Sequence, residues 1–298
     1  MAQNLYTHKD SNVRKTWLLM TVFLVLVIAL GWVFGYVFQS PGILYFAVVL
    51  AVVMNLVAYW NSDKIALAMS GAKPIGHNDN EHLYHIVENL CITAGLPVPR
   101  IYIISSPQIN AFATGRDPKH AAIAVTRGTL VKLDKNELEG IIAHELSHIG
   151  NRDILISTVI VVLAGIIAIM ADWGLRASFF GRRDNDREGG NLLLLIGLVV
   201  ALLAPLAATI MRLAVSRKRE YLADASGVLL TRYPEGLAGA LEKIGNDHEQ
   251  LRTATNATAH LFISSPFKGK QKTGWLVGLF STHPPLADRI KILRGMRF

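Results

Sequence analysis

Charge is scarce in this sequence, and cysteine almost absent. Lys, Arg, Asp and Glu make up 17% of its 298 residues, against about 25% in a soluble domain. The shortfall points to contact with lipid. One cysteine, Cys91, excludes an intramolecular disulfide and any metal site built on a cysteine cluster. It reads as a small apolar residue in a helix. A chain without disulfides fits domains that face a reducing compartment. Repeats are absent. The net charge of +8 fits nucleic acid, an anionic membrane surface or topology signalling. Lys268, Lys270 and Lys272 lack the interleaved aromatics of a nucleic-acid site, so no nucleic-acid partner is expected. His77, His82 and His85 fit no strong zinc spacing and read as surface histidines.

Long apolar runs are plentiful instead. Thr16 to Phe38 carries no charge. As a helix of 1.5 Å per residue it reaches about 34 Å, enough to cross a hydrocarbon core of roughly 30 Å. Ile43 to Trp60 is a second uncharged run, after a turn at Gln39-Ser40-Pro41-Gly42. The pair predicts a transmembrane hairpin over residues 1–60, too long and too closely doubled for a cleaved signal peptide. Gly31 and Gly35 form a GxxxG pattern suited to close helix packing, within the chain or between copies in a homo-oligomer. Ile154 to Leu175 and Asn191 to Met211 are two further runs, which make residues 154–211 a second membrane-associated pair.

Residues 61–153 are polar and periodic. A helix is predicted from Glu81 to Ala94, stopping at Gly95, and short strands at 100–105, 109–114 and 121–126. Asp134 and Glu137 form a capping box that opens a helix to about Ile149. Residues 212–298 form a second polar part, helical to Leu230 and from Glu235 to about Leu251. Residues 252–275 are rich in Thr, Ser, Lys and Gly and predict a mobile loop. Basic residues flank the first and fourth runs but not the first turn, which puts both polar parts on the cytoplasmic side. The loop 176–190, with Arg176, Arg182, Arg183 and Arg187, opposes this rule if both later runs span, and leaves their depth open.

His144-Glu145-Leu146-Ser147-His148 lies on the predicted helix after Asp134. Positions i and i+4 share a face, so both imidazoles can reach one ion. Glu145 can take a proton from water activated by a zinc ion. A tetrahedral catalytic zinc needs a third protein ligand, and the remaining His, Asp and Glu are candidates. No third His follows at short spacing. Glu220 is favoured, on a predicted helix where Asp224 shares its face. Asp224 suits the outer N–H of a ligating His. If His148 and Glu220 meet at one ion, residues 149–219 cross the membrane an even number of times.

These features together resemble the HtpX family of membrane zinc metallopeptidases, relatives of the CAAX prenyl proteases. The shared pattern is a leading hairpin, His-Glu-x-x-His, two apolar runs, Arg219-Glu220-Tyr221 with Ala223-Asp224, and a late His283-Pro284. The resemblance implies one zinc per chain on His144, His148 and Glu220, with Glu145 activating water. It further implies polypeptide substrates, foremost damaged membrane proteins cleared under stress, and a bacterial cytoplasmic (inner) membrane as the location. Asn110, on the strand before the zinc helix, is a candidate for holding substrate as an added strand. His283 is a candidate donor to the oxyanion of hydrolysis; alternatively Thr282 or His283 caps a helix opened by Pro284 and Pro285. The expected fold is mainly α: about four membrane-associated helices in a lipid bilayer, with a cytoplasmic zincin-like catalytic domain holding a small β-sheet. A CAAX-type prenyl-protein peptidase is the alternative, and a non-catalytic membrane scaffold a further one, although such a scaffold has no use for Glu145.

Overall fold

The protein is described here by a computed structural model covering residues 5–37, 39–180, 216–255, 257–267 and 284–297, with backbone alone at 5–9, 37 and 168–180. Helix α1 (Leu5–Val37) and helix α2 (Pro41–Met69) form an antiparallel hairpin. Both are long and apolar enough to cross a membrane. Pro41 occupies the first turn of α2, where its missing N–H costs nothing. Gly31 lets the helices touch: a side chain there would collide with Ala47. Trp17, Leu18, Tyr45, Phe46, Val49 and Leu56 stand exposed on the outer faces of the hairpin. α2 runs on past Trp60 through Asn61 to Met69, and Ala66 and Leu67 at its end are buried.

The polar part that follows builds a mixed sheet of order β1-β2-β4-β3: β1 (Ala72–Pro74), β2 (Arg100–Ile104), β3 (Ala111–Gly115) and β4 (Ala121–Thr126). β2 and β4 run parallel and the other pairs antiparallel. Side chains alternate faces along a strand. Ile123 and Val125 of β4 therefore join one apolar cluster, while Ala122 and Ala124 join another with Phe112, Val161 and Phe262. Both faces are covered, which is why every residue of β3 and β4 is buried.

The first face is covered by α3 (Glu81–Ala94) and α5 (Lys135–Gly150), with a short helix α4 (Arg127–Lys132) between β4 and α5. α3 ends at Gly95, whose φ of 63° is the left-handed stop. α5 opens with the expected box: Glu137 N–H donates to Asp134 Oδ1 at 3.0 Å and Asp134 N–H to Glu137 Oε2 at 2.8 Å. The chain then turns by 84° into α6 (Asp153–Phe180). Arg152 takes the corner at φ 61°. α6 packs on α1 and α2 through Leu155, Ile156, Val159 and Leu163. Helices α7 (Arg217–Thr231) and α8 (Pro234–Asn246) pack on α5, and α9 (Leu286–Arg294) packs on α8 and α7.

Some expectations shift. The strand expected from Ile109 starts at Ala111, because the Ile109 N–H is taken by Asp247 Oδ2 at 2.6 Å and the Asn110 N–H by Thr126 and Thr129. The helix expected to reach Leu251 ends at Asn246, where Asp247 leaves the helix to make that contact. The segment 252–275 was expected to be a mobile loop. Its described part instead buries His260, Leu261, Phe262, Ile263 and Ser264 against β3 and α6. The fourth apolar run, 191–211, lies outside the described residues.

Candidate metal centre and active site

α5 presents His144 and His148 one turn apart, with their rings edge to face at 4.7 Å. α7 brings Glu220 against them. His144 Nε2 lies 3.2 Å from His148 Nε2 and 3.8 Å from Glu220 Oε2, and His148 Nε2 lies 3.6 Å from Glu220 Oε1. These three residues form a group able to hold one metal ion, with His144 and Glu220 buried and His148 partly exposed.

The outer ring nitrogens explain the orientation. His144 Nδ1 faces Asp224 Oδ1 at 2.9 Å, and His148 Nδ1 faces Asp153 Oδ2 at 2.9 Å. Each carboxylate fixes the proton on Nδ1, so both Nε2 lone pairs point at one place. Two lone pairs at this range repel unless positive charge lies between them. The same demand appears in the proton affinity of His148. Burial lowers it, but the Asp153 hydrogen bond and the carboxylates of Glu220, Asp153 and Glu145 prevail and push its pKa up to about 9.

Asp224 is held in turn by Arg289 of α9, whose Nε and Nη2 donate to its two oxygens at 2.8 and 2.6 Å. Arg289 Nη1 also lies 3.5 Å from Glu220 Oε2. Burial favours a neutral Asp224, yet Arg289 and His144 outweigh it and keep its carboxyl below the usual range. On the other side Arg219 Nε stands 3.7 Å from Asp153 Oδ1.

Glu145 is buried beside the two imidazoles and accepts the Ala113 N–H of β3. Burial raises its pKa. His144 and His148 oppose the rise, and Glu220 adds to it. A carboxylate moved upward in this way suits proton transfer near neutral pH. A narrow cleft of about 30 Å³ meets these groups, lined also by Ala113, His260 and Phe262.

Of the residues the sequence singles out, His144, Glu145, His148, Glu220 and Asp224 come together. Asn110 does not join them as a cleft residue. Its buried amide donates to Gln108 Oε1 at 3.0 Å and to the Ser264 carbonyl at 3.1 Å. The edge of β3 is itself partly occupied, since the Ile263 N–H donates to the Ala111 carbonyl at 3.1 Å. His283 lies outside the described residues; α9 begins just after Pro284 and Pro285. Asp153 carries no spacing that marks it in advance, and Arg219 stands out only as the first residue of the Arg219-Glu220-Tyr221 pattern, without a sign of its partner. Arg289 stands close after His283-Pro284 in the sequence, where nothing marks its partner. A second group, His77, His85 and Glu88, is largely exposed, with the His77 ring packed on Tyr84 and His85.

The profile of "Peptidase family M48" matches residues 77–297, well over half the chain. The chain belongs to peptidase family M48. It is a metal-dependent peptidase, a hydrolase of peptide bonds, and a membrane protein. Its relatives cover its full length. A "Protease HtpX homolog" of Caldanaerobacter subterraneus subsp. tengcongensis is 46% identical over 99% of this chain and 98% of its own. The homolog of Thermoanaerobacter pseudethanolicus is 46% identical over the same shares. That of Pyrococcus furiosus is 44% identical over 94% of each. The crystal structure of S. mikatae Ste24p aligns with 97% of this chain and 66% of that one, at a TM-score of 0.49 and 20% identity, too distant to carry an argument.

Proposed function

We propose that this M48 peptidase is a multi-pass zinc endopeptidase of a bacterial cytoplasmic membrane, with its catalytic part in the cytoplasm and misfolded or damaged membrane proteins as substrates. His144, His148 and Glu220 would hold the ion. The observation that carries the reading is the convergence of two imidazole Nε2 atoms and a carboxylate, at 3.2, 3.6 and 3.8 Å from one another. A tetrahedral zinc with N and O ligands at its usual distances sets them about 3.3 Å apart. The donor set holds nitrogen and oxygen without sulfur, and each His carries a carboxylate behind it, as zinc ligands do.

Zinc, when bound there, supplies Lewis acidity toward water and the scissile carbonyl. The rest is the work of side chains. Glu145 accepts a proton from the attacking water at its carboxylate and returns it to the leaving amide nitrogen as the peptide bond breaks. Asp224 and Asp153 keep the Nδ1 protons of His144 and His148 in place, so neither ring turns away. A peptide laid along β3 would compete with Ile263 for the Ala111 carbonyl. The hairpin α1–α2, with its exposed Trp17, Tyr45 and Phe46, supplies the lipid-facing surface and brings the cleft to substrates in the same bilayer.

The test is Glu145→Gln, which keeps shape and removes the base. Cleavage of a membrane-protein substrate should fall by about 10²–10⁴-fold, while bound zinc stays at one per chain. Unchanged cleavage would show that another group takes the proton. Cleavage confined to prenylated C-terminal peptides would favour the CAAX-type alternative.

A further inference from the structure

We propose that Asn12, on the first membrane helix, is a positioning residue of the metal centre. It clamps Asp153 and, through it, the ring of His148. The inference rests on the reading of His148 as a metal ligand.

Asn12 lies near one end of the span Asp10–Tyr36 and is 3% exposed. A buried amide on an apolar helix is costly unless its hydrogen bonds are met. Its Nδ2 donates to Asp153 Oδ1 at 2.6 Å and to the Asn151 carbonyl at 3.3 Å. These acceptors sit on either side of Arg152, the corner where the chain turns by 84° from α5 into α6. One amide therefore bridges the end of the catalytic helix and the start of the next. Thr16, one turn further along α1, donates its hydroxyl to the Asn12 carbonyl at 2.9 Å and is buried beside it.

Asp153 divides its two oxygens. Oδ1 faces α1, and Oδ2 receives the His148 Nδ1 proton at 2.9 Å. Arg219 also approaches Oδ1, at 3.7 Å, from α7. Asn12 fixes the carboxylate plane from the membrane side. The rotation and depth of α1 are thereby written into the direction of the His148 Nε2 lone pair. The hairpin does more than anchor the enzyme: its docking on the α5–α6 corner holds one ligand in aim.

The experiment measures zinc(II) affinity of the full chain in detergent micelles, by competition with a chromophoric chelator. Carboxylates behind ligating His residues are worth about 10- to 100-fold in metal affinity. Asp153→Ala is expected to lose that much, and Asn12→Ala about tenfold. Asn12→Asp keeps the shape, sets two carboxylates face to face, and should lose at least as much. Lys15→Ala, on the exposed side of α1, should match the wild type. If Asn12 works through Asp153, the double variant Asn12→Ala/Asp153→Ala binds no more weakly than Asp153→Ala alone. Wild-type affinity in both Asn12 variants would overturn the proposal. So would losses that add in the double variant, or a lower thermal midpoint of the metal-free protein with affinity unchanged. His148→Ala is the arm that separates the two readings. If it binds zinc like the wild type, the ligand assignment fails; if it loses zinc while the Asn12 variants do not, only the role of Asn12 falls.

Discussion

Arg289 is fully buried, and its guanidinium spans both oxygens of Asp224 while reaching toward Glu220. Breaking a buried pair by removing one partner costs about 3–5 kcal/mol, because the remaining charge is stranded. Arg289→Met should therefore lower stability by that amount in urea unfolding. It should also weaken zinc binding, since Asp224 then has no fixed hold on His144. Arg289→Lys keeps the charge without the planar fork and should fall between. An unchanged unfolding midpoint in Arg289→Met would contradict this account of the buried pair. The residues proposed to hold the ion stood out in the sequence because metal chemistry dictates their pattern. His144 and His148 must lie four apart on a helix, and Glu145 must sit between them. Glu220 required the further argument that a third ligand exists. Asp153 and Asn12 belonged to no motif, and Arg219 stood in one without its partner, because Asn12 and Arg219 reach Asp153 from distant stretches of chain and obey no period.

Helix α7 delivers both Glu220 and Asp224, and it lies close on α5 because Gly227 has no side chain. A Cβ at Gly227 would stand 3.0 Å from the His144 nitrogen and 3.2 Å from its Cα. Gly227→Val should push the helices apart and carry Glu220 away from the imidazoles. A loss of about 1–3 kcal/mol from overpacking, together with weaker zinc binding, is the expected outcome. Zinc affinity equal to the wild type would mean that this contact does not set the ligand spacing. The elements with local signals were readable. The Asp134–Glu137 box and the Gly95 stop marked two helix ends by chemistry that spans only a few residues. The segment 252–275 reads as a loop from its Thr-, Ser-, Lys- and Gly-rich composition, and the burial of its residues 257–264 was not legible there. That burial comes from Phe262 on Phe112 and from Ile263 on β3, contacts that exist only once the sheet has formed.

Across the whole molecule, the two crossings proposed for α1 and α2 would place the start of α1 and the catalytic part on one side of the membrane. The contact of Asn12 with the α5–α6 corner requires the same arrangement. The chain's one native cysteine, Cys91, is buried, so single exposed cysteines can report topology. Asp10→Cys and Glu81→Cys should react with an impermeant maleimide only from the cytoplasmic face, and Gln39→Cys only from the opposite one. Labelling of Asp10→Cys and Gln39→Cys from the same face would rule out a spanning α1. The hairpin was legible because crossing a bilayer demands an uninterrupted apolar length. Its grip on the metal centre was not, since Asn12 lies ahead of the uncharged run that starts at Thr16 and belongs to no motif. The central claim is that α5 and α7 meet around one ion. Diffraction data collected on either side of the zinc absorption edge test it most directly. The account predicts one anomalous peak per chain, bounded by His144 Nε2, His148 Nε2 and the Glu220 carboxylate. A zinc peak elsewhere, with Glu220 outside its coordination sphere, would contradict it.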